Sequence, residues 1–212
     1  MKKELTYLEK IIMIGEIKKY FESQLESRLD LIKVQAPLFV KTSSGLQDQL
    51  SGKEKSVSFT KDDEKFEIVH SLAKWKREAL GKYEFPLHKG LYTDMKAIRK
   101  DETVDEIHSL YVEQWDWEKV ISKEDRTVDY LKQTVTSIYK AIRQTSLMLK
   151  QKYHFLELTL PKTVYFITSQ ELEDLYPEFD PKEREERITL HYRWWNRNFK
   201  IMFTIIRKRT YC

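Results

Sequence analysis

Apolar residues spaced three and four apart, Ile14, Ile17, Phe21, Leu25 and Leu29, predict an amphipathic helix near the start of the chain. Leu31 to Pro37 then reads as a strand ended by proline. Val57 to Thr60 and Phe66 to Val69 predict a hairpin across the charged turn Lys61-Asp62-Asp63-Glu64-Lys65, followed by a short helix from about Ser71 to Tyr83. Strands are expected at about Leu91 to Arg99 and Ile107 to Trp117, separated by the charged turn Lys100-Asp101-Glu102-Thr103. A long helix carries Val128, Leu131, Val135, Ile138, Ile142, Thr145 and Leu149 on one stripe. A strand from Val164 to Thr168 and two short helices, near Ser169 to Tyr176 and Pro181 to Arg187, follow it. The order of helix, many strands, helix and strand predicts an α+β fold on a mostly antiparallel sheet flanked by helices. From residue 188 onward neither period is clean, and residues 188–212 do not read as a packed element.

Four side chains break this pattern. Strand alternation puts Leu110, Val112, Gln114 and Asp116 on one face of the second long strand, and Tyr111, Trp115 and Trp117 on the other. Burying an unpartnered carboxylate and amide costs several kcal/mol, so a covered strand would use them to hold something polar. An edge strand with both groups in water is the alternative. Lys76 falls within the arc made by Leu72, Ala73, Ala79 and Leu80 on the predicted short helix, so its ammonium either snorkels to water or meets an anion. Arg99 ends an apolar-rich strand just before Glu102. That guanidinium faces a phosphate or carboxylate, or else pairs with Glu102 at the surface.

Composition narrows the field of functions. The 212 residues suit one domain, and 13% aromatic content argues against disorder. The formal charge of +4 arises in the tail, because residues 188–212 hold six basic and no acidic residues, leaving 32 basic against 34 acidic groups before them. Nucleic-acid binding rests on that tail and its two tryptophans alone and is not favoured. The single cysteine, Cys212, permits no intrachain disulfide or zinc framework, so a reducing, cytoplasmic setting is the default. No apolar run approaches 18 residues and none follows Met1-Lys2-Lys3-Glu4, so neither secretion nor membrane insertion is expected. His70 and His108 lie within or beside predicted strands and His88 in a loop, with no metal-ligand spacing. Five glycines supply no phosphate-binding loop, and Ser71 and Ser109 show no base partner.

Eight separated stretches together resemble asparagine synthetase A, the family of ammonia-dependent aspartate ligases whose catalytic domain is similar to that of class II aminoacyl-tRNA synthetases. They are Val34-Gln35-Ala36-Pro37, Gln47-Asp48-Gln49-Leu50-Ser51-Gly52, Val69-His70-Ser71-Leu72-Ala73-Lys74-Trp75-Lys76-Arg77, Gly90-Leu91-Tyr92, Met95-Lys96-Ala97-Ile98-Arg99, His108-Ser109, Gln114-Trp115-Asp116-Trp117-Glu118 and Ser169-Gln170-Glu171-Leu172. The resemblance implies the substrates L-aspartate, ammonia and ATP, with Mg2+ screening the phosphates. Aspartyl-adenylate forms first, and ammonia then displaces AMP. By motif, Lys76 would bind the substrate α-carboxylate, while Asp48, Gln114 and Asp116 would surround its amino group and side chain. Arg99 matches the motif 2 arginine that neutralises the α-phosphate, with Glu102 and Ser109 lining the nucleotide side. Pro37 matches the motif 1 proline, in the region through which the family forms homodimers.

The resemblance also implies a division at about residue 187, with residues 1–187 as the N-terminal part of a synthetase-like catalytic domain and 188–212 as a basic tail outside the family. The loop before Asp48 reads Lys41-Thr42-Ser43-Ser44-Gly45 where the family is rich in Gly and Asp. Lys100 stands in place of a proline and Glu113 in place of an aspartate. The glycine-rich motif 3 and its ATP-gripping arginine are not found, so the expected catalytic domain is incomplete. Any codons for Trp194-Trp195-Asn196, read one base later, encode Gly-Gly. The expectation is a truncated gene rejoined out of frame near Thr189. Two kinds of function follow, an AMP-forming aspartate–ammonia ligase, or a non-catalytic remnant or aspartate-binding fragment.

Overall fold

In the computed structural model, which describes residues 5–48, 54–104, 108–157, 160–193 and 203–206, the first apolar period becomes helix α1 (Tyr7–Leu29). Gln49 to Gly52, Ile107, Trp194-Trp195 and Cys212, all used in the sequence reading, lie outside the described residues. The chain divides into two compact units, one from Asp30 to Lys123 and the other comprising Met1–Leu29 and Glu124–Cys212.

The unit from Asp30 to Lys123 contains β1 (Leu31–Lys33), β2 (Phe39–Lys41), β3 (Ser58–Lys61), β4 (Glu64–Ile68), α2 (Ala73–Lys82), β5 (Gly90–Ile98) and β6 (Tyr111–Lys119). One sheet has the order β1-β5-β6, with β1 parallel and β6 antiparallel to β5. The other is antiparallel, in the order β2-β4-β3. β1 ends at Lys33, short of Pro37, although Val34 N–H still donates to the Tyr92 carbonyl at 2.9 Å. The three-residue β2 was not expected, because its partner is β4, Phe39 opposite Ile68, and a strand that short carries no period of its own. The hairpin turn is tighter than its charged run suggests. Asp62 and Asp63, with φ of 50° and 61°, make a two-residue turn, and Lys61 already pairs with Glu64.

Register determines which β6 side chains face inward. Leu91 lies opposite Glu118, Thr93 opposite Asp116, Met95 opposite Gln114 and Ala97 opposite Val112. The face bearing Leu91, Thr93, Met95 and Ala97 is fully buried, and α2 lies against it. Its core joins Val40, Val69 and Leu72 to Met95 and Ala97, while Ala79 and Leu80 close over Leu91. β6 is therefore an edge strand among the described residues, yet its Gln114 and Asp116 lie on the helix-covered face. At Gly90, where β1, β5 and β6 meet, an added Cβ would strike the Glu118 carbonyl, with Leu31 Cδ2 at 2.7 Å and Lys119 Cα at 2.9 Å.

In the other unit α1 packs along α3 (Val128–Lys152), whose first turn is capped by the Thr127 side chain accepting from Tyr130 N–H at 3.2 Å. Glu16, near the middle of α1, ties it to the end of α3, accepting from Lys152 Nζ and from the Tyr153 hydroxyl at 2.8 Å. Those two donors, Lys152 first, hold its carboxyl below the ordinary range. β7 (Tyr165–Thr168) runs into α4 (Ser169–Leu175) through a capping box between Thr168 and Glu171. The next helix, α5 (Pro181–Arg193), continues past Arg187, contrary to the reading that packing ends there. Its heavily charged sequence offers little apolar period, but Ile188 is buried with Ile167 and Leu172 and anchors it. β8 (Phe203–Ile206) pairs parallel to β7. Among the described residues, no helix is long and apolar enough to cross a membrane.

Candidate functional site

α2 delivers Lys76 to the sheet. Leu72, Ala79 and Leu80 fix the helix on its apolar side, and Lys76, on the same side, is carried into the interior at 3% exposure. Its ammonium meets the Asp116 carboxylate, donates to the Trp117 carbonyl at 3.0 Å and lies 3.7 Å from Glu118 Oε2. Glu118 in turn lies 3.9 Å from Arg77 Nε. Of the alternatives for Lys76, the structure adopts the buried ion pair rather than the snorkel. Asp116 keeps 25% of its side chain exposed, and Thr93, fully buried opposite it, directs its hydroxyl at the Asp116 carbonyl at 3.4 Å. Gln114 is half-buried two residues along the same face. A cation and a carboxylate side by side on a covered, partly open face can hold a small molecule that carries both charges.

Asp48 sits on the loop that leaves a single 3-10 turn at Thr42–Ser44. That turn is closed by Gly45 with φ of 67°, a conformation that favours glycine. Asp48 Oδ2 accepts from the Ser71 hydroxyl at 2.8 Å and from Lys74 N–H at 3.2 Å, capping the start of α2 from a distant segment. His70, 4% exposed, bonds through its ring Nε2 to the Asp48 carbonyl. Lys74 Nζ donates to the Gly45 and Gln47 carbonyls at 3.3 and 3.1 Å.

A cleft of about 490 Å3 opens beside this loop, with Asp48, His70, Lys74, Lys55, Lys65 and Lys100 among its walls. A smaller one of about 100 Å3 holds Arg99, Glu102 and Asp101, and the two share Glu54, Lys55, His70 and Lys100. Arg99 N–H donates to the Leu110 carbonyl at 2.8 Å, continuing the β5–β6 ladder. Its Nη1 lies 3.9 Å from Glu102, while Nε is buried without a hydrogen-bond partner. An unsatisfied buried guanidinium N–H beside an open cleft fits an anionic oxygen. Ser109 is exposed just before β6 and lines neither cleft. Among the described residues, no three His, Cys, Asp or Glu side chains gather to hold a metal ion.

The structure thus brings Lys76 to Asp116, with Gln114 on the same face, and brings Arg99 to Glu102. Asp48 stands in the wall of the larger cleft, next to the Arg99 pocket. Gln47, His70, Lys74 and Glu118 were not singled out by their residue types. Their roles depend on bonds to backbone and carboxylate atoms of distant segments, which leave no signal in spacing.

Comparison with known proteins follows the same line. The family described as aspartate-ammonia ligase matches residues 8–194. An aspartate–ammonia ligase of Clostridium tetani is 53% identical over 191 residues, which span 89% of this chain and 56% of that protein. One from Fusobacterium nucleatum is 53% identical over 189 residues, covering 89% and 58%. The chain therefore spans a little over half the length of these relatives. Among solved structures, asparaginyl-tRNA synthetase of Entamoeba histolytica is similar with a TM-score of 0.54 at 14% identity, over 85% of this chain and 41% of that one. Its complex with asparaginyl-adenylate gives 0.51 at 12% identity, over 83% and 40%. At such identity the likeness is one of fold, the α+β catalytic architecture of class II synthetases.

Proposed function

The chain belongs to the aspartate-ammonia ligase family, and on that basis we propose that it carries the aspartate pocket and the α-phosphate side of an AMP-forming ligase that makes L-asparagine. The observation that carries this reading is the Lys76–Asp116 pair on the covered face of β6. The two side chains neutralise each other in the structure. An incoming amino acid exchanges with them, its α-carboxylate taking Lys76 and its ammonium taking Asp116. Neither state leaves an unpaired buried charge, which offsets the cost of opening the pair. Glu118 at 3.7 Å keeps Lys76 from drifting while its partner changes. Asp48, with Oδ2 committed to Ser71 and Lys74, offers Oδ1 to the ammonium. Gln114 orients the substrate's side-chain carboxylate.

That carboxylate attacks the α-phosphorus of ATP, the bond to the β-phosphate oxygen breaks, and pyrophosphate leaves. Arg99, whose Nε lacks a partner, takes the negative charge that builds on the α-phosphate. Ammonia then attacks the activated acyl carbon, AMP departs with the electron pair of the acyl–oxygen bond, and the new C–N nitrogen gives up one proton to water. Glu102 and Ser109 belong to the nucleotide side in this reading. Magnesium would enter with the nucleotide and screen its phosphates. A homodimer through the Pro37 region and a cytoplasmic setting complete the proposal.

Incubation with aspartate, ammonia and ATP-Mg, with AMP release measured against a Lys76→Ala control, tests it. AMP formation above the control supports the ligase. A second reading, an aspartate-binding fragment without turnover, rests on the Lys76–Asp116 pair alone. Aspartate binding lost in Lys76→Ala, with no AMP formed, would select that one, and no aspartate binding would sink both.

A further inference from the structure

The segment from Gly45 to Asp48 has no regular structure, and seven hydrogen bonds fasten it to residues between Ile68 and Lys74. The Gln47 side-chain amide behaves as an extra peptide unit. It donates to the Ile68 carbonyl at 2.8 Å and accepts from His70 N–H at 3.4 Å, prolonging the edge of β4. Two of the bonds hold the Asp48 carboxylate and two come from the Lys74 ammonium. Only one of the seven grips the backbone of Asp48 itself, and it comes from His70. A carbonyl oxygen can only accept, so Nε2 of the ring carries the proton. The ring is almost wholly buried, and His70 is one of four residues that line both clefts.

A carboxylate held through one oxygen can still pivot about that oxygen unless the backbone end of its side chain is fixed as well. We propose that His70 is a positioning residue, its imidazole clamped on the Asp48 carbonyl so that the free Asp48 oxygen is aimed at the amino group of the bound amino acid. The inference rests on the substrate reading given above and assigns His70 no contact with substrate. Its chemistry is directional. Glutamine places an amide nitrogen where Nε2 stands, whereas asparagine reaches only as far as Nδ1.

The full chain is titrated with L-aspartate by calorimetry for wild type, His70→Gln and His70→Asn, each also in an Asp48→Ala background. Deuterium uptake across residues 42–48 is followed without ligand. His70→Asn is expected to bind aspartate about tenfold more weakly, the loss of one well-placed hydrogen bond, with His70→Gln within about twofold of wild type. His70→Asn should raise uptake across residues 42–48, while His70→Gln leaves it as in wild type. In the Asp48→Ala background His70→Asn should weaken binding no further. Equal weakening by both His70 variants, or a His70→Asn effect that persists without Asp48, would reduce His70 to a packing role and overturn the proposal. Unchanged affinity in His70→Asn overturns it while leaving the aspartate pocket standing. A wild-type chain that binds no aspartate overturns the pocket and this role together.

Discussion

Replacing Asp116 with asparagine keeps the shape of β6 and removes one charge. Lys76, at 3% exposure, would then hold its ammonium against the Trp117 carbonyl at 3.0 Å, with Glu118 no nearer than 3.7 Å. Removing one partner of a buried ion pair typically costs about 3–5 kcal/mol. Because Asp116 is 25% exposed and Glu118 remains close, we expect the lower end, about 3 kcal/mol. Lys76→Met deletes the cation instead and leaves an aspartate that water can reach, at a cost of about 1–2 kcal/mol. The double variant should lie near Lys76→Met alone, giving a coupling energy of about 2 kcal/mol or more. Urea unfolding followed by tryptophan emission reads this directly, since Trp75, Trp115 and Trp117 all lie in the same unit as the pair. If Asp116→Asn falls within about 0.5 kcal/mol of wild type, or the two substitutions simply add, the ammonium is not dependent on that carboxylate and the reasoning fails.

Gly90→Ala would drive a methyl group into the Glu118 carbonyl, with Leu31 and Lys119 also inside contact distance. Two of those three atoms are backbone and cannot step aside, so a loss of about 1–3 kcal/mol or more is expected in the same unfolding assay. A variant as stable as wild type would show that the three strands part more easily than their register implies. Glu171 is held below its ordinary carboxyl range of 4.5, first by the Thr168 backbone N–H and then by its hydroxyl. The stability it contributes is therefore complete above about that pH and is lost as pH falls through the lowered value. The difference in unfolding midpoint between wild type and Glu171→Gln should shrink on acidification, and a difference independent of pH would contradict the assignment. Thr168→Ala, which removes the other half of the same box, should cost about 1 kcal/mol at neutral pH, read by the same denaturation curve.

Much of this arrangement was legible because charge stood where hydrocarbon was due. Lys76 was conspicuous on an apolar arc and Asp116 on an inward face, and the two anomalies turn out to be each other's partners. The long periods of α1 and α3 were equally plain, although they bury only toward the helices' C-terminal ends, at Leu25 and Leu29 and at Thr145 and Leu149, while Ile14, Val128 and Leu131 stay exposed. What escaped depends on partners remote in sequence. β2 is too short to show a period, and α5 hides one buried isoleucine among charges. His70 and Gln47 look like ordinary loop residues until a carbonyl more than twenty positions away is brought against them. Edge and covered are not exclusive for β6, because α2 shields one face of a strand whose outer edge has no neighbour among the described residues.

The acidic side chain at the head of α2 arrives from 26 positions upstream of the amide it satisfies. A helix that borrows its stop from so far away cannot finish its first turn early in folding, because a long stretch of chain must first come round and lose its freedom. The segment around Asp48 and the opening turn of α2 should therefore gain and lose order together, as one cooperative patch.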